Sequence, residues 1–362
     1  MNIQSYFSGI EDFRVAKKCH HLLSDILLIG LFTFLSNGDD FEDMVLFGET
    51  YASDLEDYLL LPNGVPSHDT FNRVFSILNP DILRKCLKDH GKNIVAILRG
   101  KQICFDGKKL KGFSPKSRGN KGLYIVNAWV AENQICIGQK KVNQKSNEIT
   151  AIPELIKEIN ITGATVTIDA IGCQKEIASQ IVSAQADYLL AVKSNQKELL
   201  TDIKCAFKAN ATTSVSEQWE YQRGRFENRV CSLLKANEVL LEEHLTAWKG
   251  IETIVKIEAT RTFLDKEETQ IRYYISSNTC DDALYFNNLV RNHWSIENQL
   301  HWHLDVTFNE DKSRARTSNA PENLSSMRKL ALQMIKSQND KLSLKKRRVK
   351  ATYDIEYLKS ML

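Results

Sequence analysis

Three carboxylates stand where this sequence could do chemistry. Asp106 ends the apolar segment QICFD, and Asp169 ends ATVTID, a run of apolar and β-branched residues. Glu297 lies much further along the chain, in a segment of helical length. Two aspartates brought side by side repel each other and raise each other's pKa unless a cation neutralises them. Because hard oxygen ligands select Mg²⁺ or Mn²⁺ over zinc, the three acids are candidate ligands of such a metal.

Polar side chains recur every four residues around Glu297. A helix would place His293, Glu297, His301 and Asp305 on one stripe, with successive members about 6 Å apart. Bulky apolar neighbours, tryptophans among them, predict that Glu297 is half-buried and needs compensation. A lone glutamate of this kind is most often paired with a nearby Arg or Lys. The elements around the other two acids must therefore decide whether its role is structural or chemical.

The period of the apolar residues predicts the elements that position the acids. Residues 1–100 have helical periodicity, after which three short strands form a meander and two further apolar strands alternate with helices. The strands are expected at 102–106, 123–130, 135–142, 164–169 and 186–193. The order β-β-β-α-β-α-β-α is that of the ribonuclease H-like fold, with antiparallel strands followed by parallel ones. Asp106 and Asp169 would then end neighbouring strands at a ligand-binding edge.

A third acid supplied by a helix would complete this edge. Glu297, laid against the sheet beside Asp106 and Asp169, predicts a site for two metal ions acting on a phosphodiester. The expected fold is α/β: a ribonuclease H-like core with a mixed five-stranded sheet, an all-β insertion, and an all-helical N-terminal domain. The predicted units are a helical N-terminal domain at 1–100, the first part of the core at 101–213, the insertion at 214–280, core helices with the third acid at 281–338, and a basic tail at 339–362.

Composition excludes several classes of protein. The chain has 362 residues and a net charge of only +3, so a nucleic-acid partner has to be argued from local clusters of charge. Its eight cysteines are scattered without any C-x-x-C pair, which indicates reduced thiols of a cytoplasmic protein. The apolar run at 26–35 is too short to span a bilayer, and no membrane association is expected.

Several longer strings of the sequence carry a family resemblance. GVPSHDTFNRVF, FDGKKLKG, KSNEITAIPEL, TIDAIGCQ, LLAVKSNQ, GRFENR, RNHWSIENQLHWHLDVTFNED and NLSSMRKLAL together resemble transposases of H-repeat-type bacterial insertion sequences. This resemblance implies the DDE class, with a ribonuclease H-like core and a β insertion before the final glutamate. It implies that Asp106, Asp169 and Glu297 form a catalytic triad that uses two Mg²⁺ or Mn²⁺ ions.

The same resemblance implies the reaction and its partners. The protein would cleave and join double-stranded DNA at transposon ends, as a homodimer that holds two ends together. It would act in the bacterial cytoplasm, at the nucleoid when bound to DNA. The resemblance leaves open the terminal repeat, the target site and the excision route.

The sequence departs from related cut-and-paste transposases around the glutamate. Val290 stands at the position of a Tyr, His293 at that of an Arg, and Leu304 near that of a Lys. His293 could still donate to a phosphate. Nearby cations that could supply charge are Arg291, Lys312, Arg314 and Arg316. Where family members often have His-Gly-Arg, this chain has Arg223-Gly224-Arg225, which should preserve a cationic DNA contact.

Further candidates follow from position. Lys145 opens a helix where a phosphate or simple capping would fit equally, Lys193 and Gln196 follow a strand on the edge of the acids, and Lys108 begins a basic loop beside Asp106. His301 and Asp305 are expected to position Glu297 or contact phosphate. Trp248, in the insertion, could stack on a flipped base, although most single tryptophans are core residues.

Two other functions remain open at this stage. A zinc-dependent hydrolase would use His293, Glu297 and His301 on one helical face, but it leaves both aspartates unexplained and lacks the H-E-x-x-H motif. A catalytically inactive or domesticated relative would bind DNA without cutting it. Similarly, the short helix after Ser67 could be the second helix of a helix-turn-helix or only a packing helix.

Overall fold

One mixed sheet organises the protein, seen in a computed structural model that describes residues 7–15, 17, 19–112, 123–142, 148–222, 224–263 and 266–362. Its strands are Gln102–Leu110 (β1), Leu123–Val130 (β2), Ile135–Val142 (β3), Thr165–Ile168 (β4), Asp187–Val192 (β5), Ser214–Gln222 (β6), Arg225–Lys235 (β7), Thr253–Phe263 (β8) and Lys266–Ser276 (β9). Their order across the sheet is β3-β2-β1-β4-β5-β9-β8-β7-β6. The β1–β4 and β4–β5 pairs are parallel, and the other pairs are antiparallel.

Helices cover the sheet and build the N-terminal region. They are Leu23–Leu35 (α1), Phe41–Tyr51 (α2), His68–Ile77 (α3), Pro80–Ile94 (α4), Glu148–Glu158 (α5), Lys175–Ser183 (α6), Lys197–Ala209 (α7), Ala236–Val239 (α8), Glu242–Ala247 (α9), Ala283–His293 (α10), Ala320–Lys336 (α11), Leu344–Tyr353 (α12) and Ile355–Lys359 (α13). Among the described residues, no helix is long and apolar enough to cross a membrane.

The all-β insertion extends the core sheet to nine strands, which corrects the expectation of a five-stranded sheet. The five predicted strands are adjacent, but β9 pairs antiparallel with β5, with Leu189 opposite Ser276. Strands β8, β7 and β6 continue outward from β9 in an antiparallel meander. The main-chain groups along β5 are thus satisfied by the insertion, so the core sheet does not end at an exposed edge on this side.

Helix α11 joins the N-terminal helices to the sheet. Nearly every residue of this helix is buried, and it contacts α1, α3, α4 and β3. One apolar cluster contains Phe32 of α1, Phe75 of α3, Met327 of α11 and Trp129 of β2. Helix α3, the candidate second helix of a helix-turn-helix, buries Phe71, Val74 and Phe75, as a packing helix would.

The segment predicted as a basic tail, residues 339–362, contains two helices. It forms α12 and α13, and both Arg347 and Arg348 are buried. Arg348 donates to the carbonyl oxygens of Phe34 and Gly38 at 2.8 Å each, and it also donates to Thr307 O. These contacts cap the end of α1 and connect it to the segment that follows Glu297, so part of the basic run serves the fold.

The helix predicted around Glu297 changes its winding. Helix α10 ends at His293, and the chain continues as two π-helical stretches, Ile296–His301 and His303–Thr307. Apolar side chains hold this segment on its inner side, where Ile296, Leu300 and Leu304 are buried. π-Helical turns are rare and frequently occur at functional sites, because they change the direction in which side chains project.

Candidate active site

The two aspartates lie side by side at the edge of the sheet, as the strand order predicts. Phe105 of β1 is opposite Ile168 of β4, so Asp106 and Asp169 are the next residues along two parallel neighbouring strands. The carboxylate of Asp169 accepts the amide of Ile171 at 3.1 Å and thereby caps a short 3₁₀ helix. This bond fixes the orientation of Asp169 at the strand end.

All three predicted acids line one cavity. Asp106, Asp169 and Glu297 enclose it together with residues from β5, β9 and α10, and its volume is about 510 Å³. Glu297 is exposed to this space, so the prediction that it is half-buried was wrong. The reason is that Trp294 and Trp302, expected to bury it, are themselves 37% and 51% exposed. Apolar packing of the segment falls on Ile296, Leu300 and Leu304 instead.

The environment of the Asp106 carboxyl group disfavours its negatively charged form. Burial, followed by the negative charges of Asp169, Glu297 and Glu148, raises its pKa to about 8. Such a group binds a proton at neutral pH unless a cation takes the place of that proton. The arrangement therefore favours a divalent cation among these carboxylates.

Glu148 is a fourth carboxylate near the cavity that the sequence reasoning missed as an acid. It is buried at the start of α5 and faces Gly107 of β1, where a methyl group would collide with its Oε1. The string KSNEIT drew attention to Lys145 as a phosphate ligand, but Lys145 lies outside the described residues. The signal for Glu148 was the glycine that follows Asp106, since a glycine in a strand often marks a close approach.

Two histidines of the stripe face the aspartates and are neutral. Nδ1 of His301 lies 3.5 Å from Asp106 Oδ2, and its Nε2 lies 3.2 Å from Nδ2 of the buried Asn127. Burial and two nearby lysines lower the pKa of His301 to about 3. His293 bonds through Nδ1 to Thr167 Oγ1 at 2.9 Å, and burial lowers its pKa to about 4. Because both rings stay uncharged, they orient neighbouring groups without neutralising the acids.

Lys108 lies within strand β1, and not in the basic loop that the sequence predicted beside Asp106. Strand β1 continues past Asp106 to Leu110, and Lys108 within it is only 7% exposed. Its Nζ lies 2.6 Å from Asp305 Oδ1 and 2.7 Å from Glu310 Oε2. Lys108 thus ties the strand of Asp106 to the segment after Glu297, and Asp305 positions that segment by holding a lysine.

Two candidates that follow β5 have different roles. Lys193 is exposed and lines the cavity, so it can reach a ligand there. Gln196 instead donates to Cys173 O at 2.9 Å, while Asn195 donates to Ala170 O at 2.7 Å. These two amides hold the turn after Asp169 in place and are not directed at a substrate, which corrects the expectation for Gln196.

Trp248 and the remaining cations whose side chains the structure describes do not line the cavity of the three acids. Arg291 pairs with Glu220 at 2.6 Å. Arg314 and Arg316 are exposed and line another cavity, of about 560 Å³, beside acidic residues of the N-terminal region. Trp248 is 1% exposed and belongs to the core, as most single tryptophans do, and it is not available to stack on a base. Arg223 and the side chain of Arg225 lie outside what the structure describes.

A zinc site built from the histidines is not supported by the geometry. Within the described ranges, one group of three His, Cys, Asp or Glu residues has ligand atoms that all lie within 4.8 Å of one another: Asp202, Glu243 and His244. His293, Glu297 and His301 therefore do not converge on one ligand position. Nor do Asp106, Asp169 and Glu297 crowd together to this degree, which leaves space between them.

Comparison with known proteins gives consistent matches along the chain. Residues 98–334 match the family described as "Transposase DDE domain", and residues 4–90 match the family described as "DDE_Tnp_1-associated". Two proteins of Escherichia coli K12, "H repeat-associated putative transposase YhhI" and "Putative protein YbfL", are each 35% identical to this chain over 99% of its length and 97% of theirs. "Putative transposase YncI" of Escherichia coli O157:H7 is 36% identical over 100% of this chain and 95% of its own length. A piggyBac transposase synaptic complex with hairpin DNA aligns over 99% of this chain and 76% of its own, at 12% identity and a TM-score of 0.42.

Proposed function

This chain belongs to the DDE transposase family, and from that premise we propose that Asp106, Asp169 and Glu297 are its catalytic triad. The protein is a DDE transposase, and the proposal concerns how it cleaves and joins DNA at insertion-sequence ends. One observation carries the assignment: the three carboxylates come from β1, the end of β4 and the π-helical segment, and they line the same cavity.

A ribonuclease H-like core is the fold that we propose for the part of the sheet that carries the triad. Its support is the order β3-β2-β1-β4-β5, with an antiparallel meander followed by two parallel strands. In that order β1 and β4 are central neighbours, and their carboxyl ends meet at one edge. A helix after the insertion then brings in the third acid.

The donor set fits two Mg²⁺ or Mn²⁺ ions. Oxygen ligands from three carboxylates suit these cations, and a divalent cation would offset the like-charge repulsion that, after burial, raises the pKa of Asp106. Bound there, such ions would activate the attacking oxygen and stabilise the leaving oxygen of a phosphodiester. Asp169 would hold its ligand position through its bond to the Ile171 amide, and neutral His301 would orient the Asp106 carboxylate.

DNA is the partner that follows from this activity. We propose that double-stranded transposon ends enter along the edge that carries Lys193, and that two copies of the chain act together because two ends must be joined. DNA-end binding stays the proposed role of residues 1–100. This region holds nine Lys and Arg against fourteen Asp and Glu, so any contact with DNA would depend on local groups such as the exposed Arg73.

Strand cleavage tests the triad directly. The protein is incubated with a duplex that ends in the terminal sequence of its own element and with Mg²⁺, and nicked and joined products are separated on denaturing gels. Asp106→Asn, Asp169→Asn and Glu297→Gln should each lower cleavage by a factor of about 10³ or more, because each removes a metal ligand needed for charge stabilisation.

A matched carboxylate outside the cavity provides the control. Asp202→Asn, which affects the group formed with Glu243 and His244, should leave cleavage unchanged. Undiminished cleavage by any one triad variant would remove that residue from the assignment. DNA binding without cleavage by the unmodified chain would instead show that this copy is an inactive relative.

A further inference from the structure

The cavity of the three acids has a second, cationic side. Lys193, Lys204 and Arg272 line the same space as Asp106, Asp169 and Glu297. Lys193 follows β5 and Arg272 lies on β9, where the neighbouring Tyr273 is opposite Val192. The insertion therefore brings its own side chains to the rim of the site, and Arg272 is the arginine among the cavity-lining residues.

Arg272 is held by neutral groups. Its guanidinium carbon lies 4.9 Å from the ring centroid of Trp294, and its Nη2 donates to Gln270 Oε1 at 2.7 Å. Within the part of the chain that the structure describes, no carboxylate lies within 4.0 Å of it. Stacking on an indole fixes the plane of the guanidinium and leaves its edge available to hydrogen-bond an anion.

Other arginines on this side of the insertion are paired with carboxylates. Arg229 and Arg291 share the carboxylate of Glu220, at 3.0 and 2.6 Å, and Arg261 lies 3.2 Å from Glu227. Together with Arg272 and Trp294 they line an adjoining cavity of about 240 Å³. The Arg272–Trp294 pair thus forms the wall between this cavity and the acidic one, and its cation lacks the carboxylate that its neighbours have.

Among the described residues that line the cavity, the segment that carries Glu297 contributes no Lys or Arg that could bind an anion. His293, four residues before Glu297, is held by a hydrogen bond between its Nδ1 and Thr167 Oγ1 at 2.9 Å. Val290 and Leu304 are apolar and buried. Hence Trp294, from the segment that carries Glu297, lines the cavity, and the cation that stacks on its ring is Arg272 of β9.

We propose that Arg272, stacked on Trp294, binds a phosphate of the DNA strand next to the bond that is cut. The inference rests on the proposed function, because it assumes that a DNA strand enters the cavity of the three acids. A guanidinium edge binds two phosphate oxygens at once, which sets the register of the strand relative to the carboxylates. Arg272 would thereby contact substrate from the insertion, while the acids act from the core.

Salt-dependent DNA binding tests this contact. Fluorescence anisotropy measures the Kd of the full chain for a fluorescein-labelled duplex ending in its element's terminal sequence, over a series of KCl concentrations. Arg272→Gln should weaken binding about tenfold. It should also lower the slope of log K against log salt by about 0.9, the value for one lost phosphate contact. Arg261→Gln, the matched control whose cation is already paired with Glu227, should leave the slope unchanged.

Two further variants separate charge from geometry. Arg272→Lys should keep the salt slope and still bind more weakly, because a lysine lacks the planar fork. Trp294→Leu should behave in the same way, since it keeps the cation and removes the surface that orients it. Loss of a cooperative thermal transition would show that Arg272→Gln does not fold. In that case the affinity of Arg272→Lys for DNA tests the phosphate contact.

The outcomes distinguish this inference from the triad assignment. Wild-type affinity and slope for Arg272→Gln, or wild-type affinity for a folded Arg272→Lys, would overturn the phosphate contact and leave the triad standing. A weaker affinity with an unchanged slope for Arg272→Gln would also overturn it, because it indicates lost packing. The absence of DNA binding by the unmodified chain would contradict the proposed function itself.

Discussion

The raised pKa of Asp106 links the protonation of this one residue to the stability of the fold. Burial and three neighbouring carboxylates raise its pKa to about 8, far above the value for an aspartate in an unfolded chain. The folded state therefore binds a proton more tightly than the unfolded state does. Without metal, the stability of the fold must fall as the pH rises from about 4 toward 8.

We expect Asp106→Asn to stabilise the metal-free protein at alkaline pH. In EDTA at roughly pH 9 its thermal transition should lie about 3 °C or more above that of the wild type, because the amide removes a charge held among like charges. The difference should narrow toward pH 5, where Asp106 is protonated. Thermal unfolding followed by circular dichroism across this pH range measures it.

The control for this effect is an exposed aspartate. Asp54→Asn, in a short 3₁₀ turn of the N-terminal region, should follow the wild-type curve. Added Mn²⁺ should raise the wild-type transition and have little effect on Asp106→Asn. Equal transition temperatures for wild type and Asp106→Asn at every pH would show that the pKa of Asp106 is not raised in the folded protein.

At the residue scale, the sequence was enough to find the three acids but not the residues that contact them. The acids could be found because each ends a recognisable segment, or lies on one. Lys108 was misassigned because its charge looked like that of a solvated loop, whereas pairing of β1 with β2 carries it inward to Asp305 and Glu310. Glu148 was missed because only the fold brings the start of α5 onto Gly107.

At the scale of elements, α12 shows that a basic run can be structural. Arg348 satisfies three main-chain carbonyls and lies 3.2 Å from Asp39, whereas Lys345 and Lys346 on the same helix are exposed. Removing a buried cation leaves these groups without a partner.

Arg348→Met should therefore lower the free energy of unfolding by roughly 3 kcal/mol. Lys345→Met, one turn earlier and exposed, should change it by no more than about 0.5 kcal/mol. Urea unfolding followed by tryptophan fluorescence compares the two variants with the wild type. If both changes cost the same, the buried contacts of Arg348 do not stabilise the fold, and the segment acts as a tail after all.

Element boundaries could be predicted where periodicity is strong. The predicted limits of β2 and β3 agree with the structure, and those of β4 and β5 differ from it by one residue at each end. The π-helical winding after His293 could not be predicted, because it depends on which carbonyl each amide selects and not on the apolar pattern. Trp302, one of the two tryptophans expected to bury Glu297, lies between the two π-helical stretches and is 51% exposed.

At the scale of the whole molecule, the N-terminal helices and the catalytic part share one core. Helix α11 contacts α1, α3 and α4 as well as β3, and the apolar cluster around it draws on both regions. Sequence alone suggested a separate domain at 1–100, since local periodicity does not reveal which distant helix completes a core.

A fragment of residues 1–100 should therefore not fold by itself. Its circular dichroism should show reduced helix and no cooperative thermal transition, because the apolar faces of α1, α3 and α4 lose their partner. Joining residues 319–362 to this fragment through a Gly/Ser linker should restore a cooperative transition. A cooperative transition of the fragment alone would establish it as an independent domain.

The pairing of β9 with β5 has a consequence for exchanging parts between relatives. A chimaera that takes its insertion from another transposase must include β9 in the exchange and keep Ser276 opposite Leu189. A shift of one residue would turn Arg272 to the opposite face of the sheet. The insertion therefore cannot be exchanged as an independent unit, because its strand β9 also lines the cavity of the three acids in the protein that receives it.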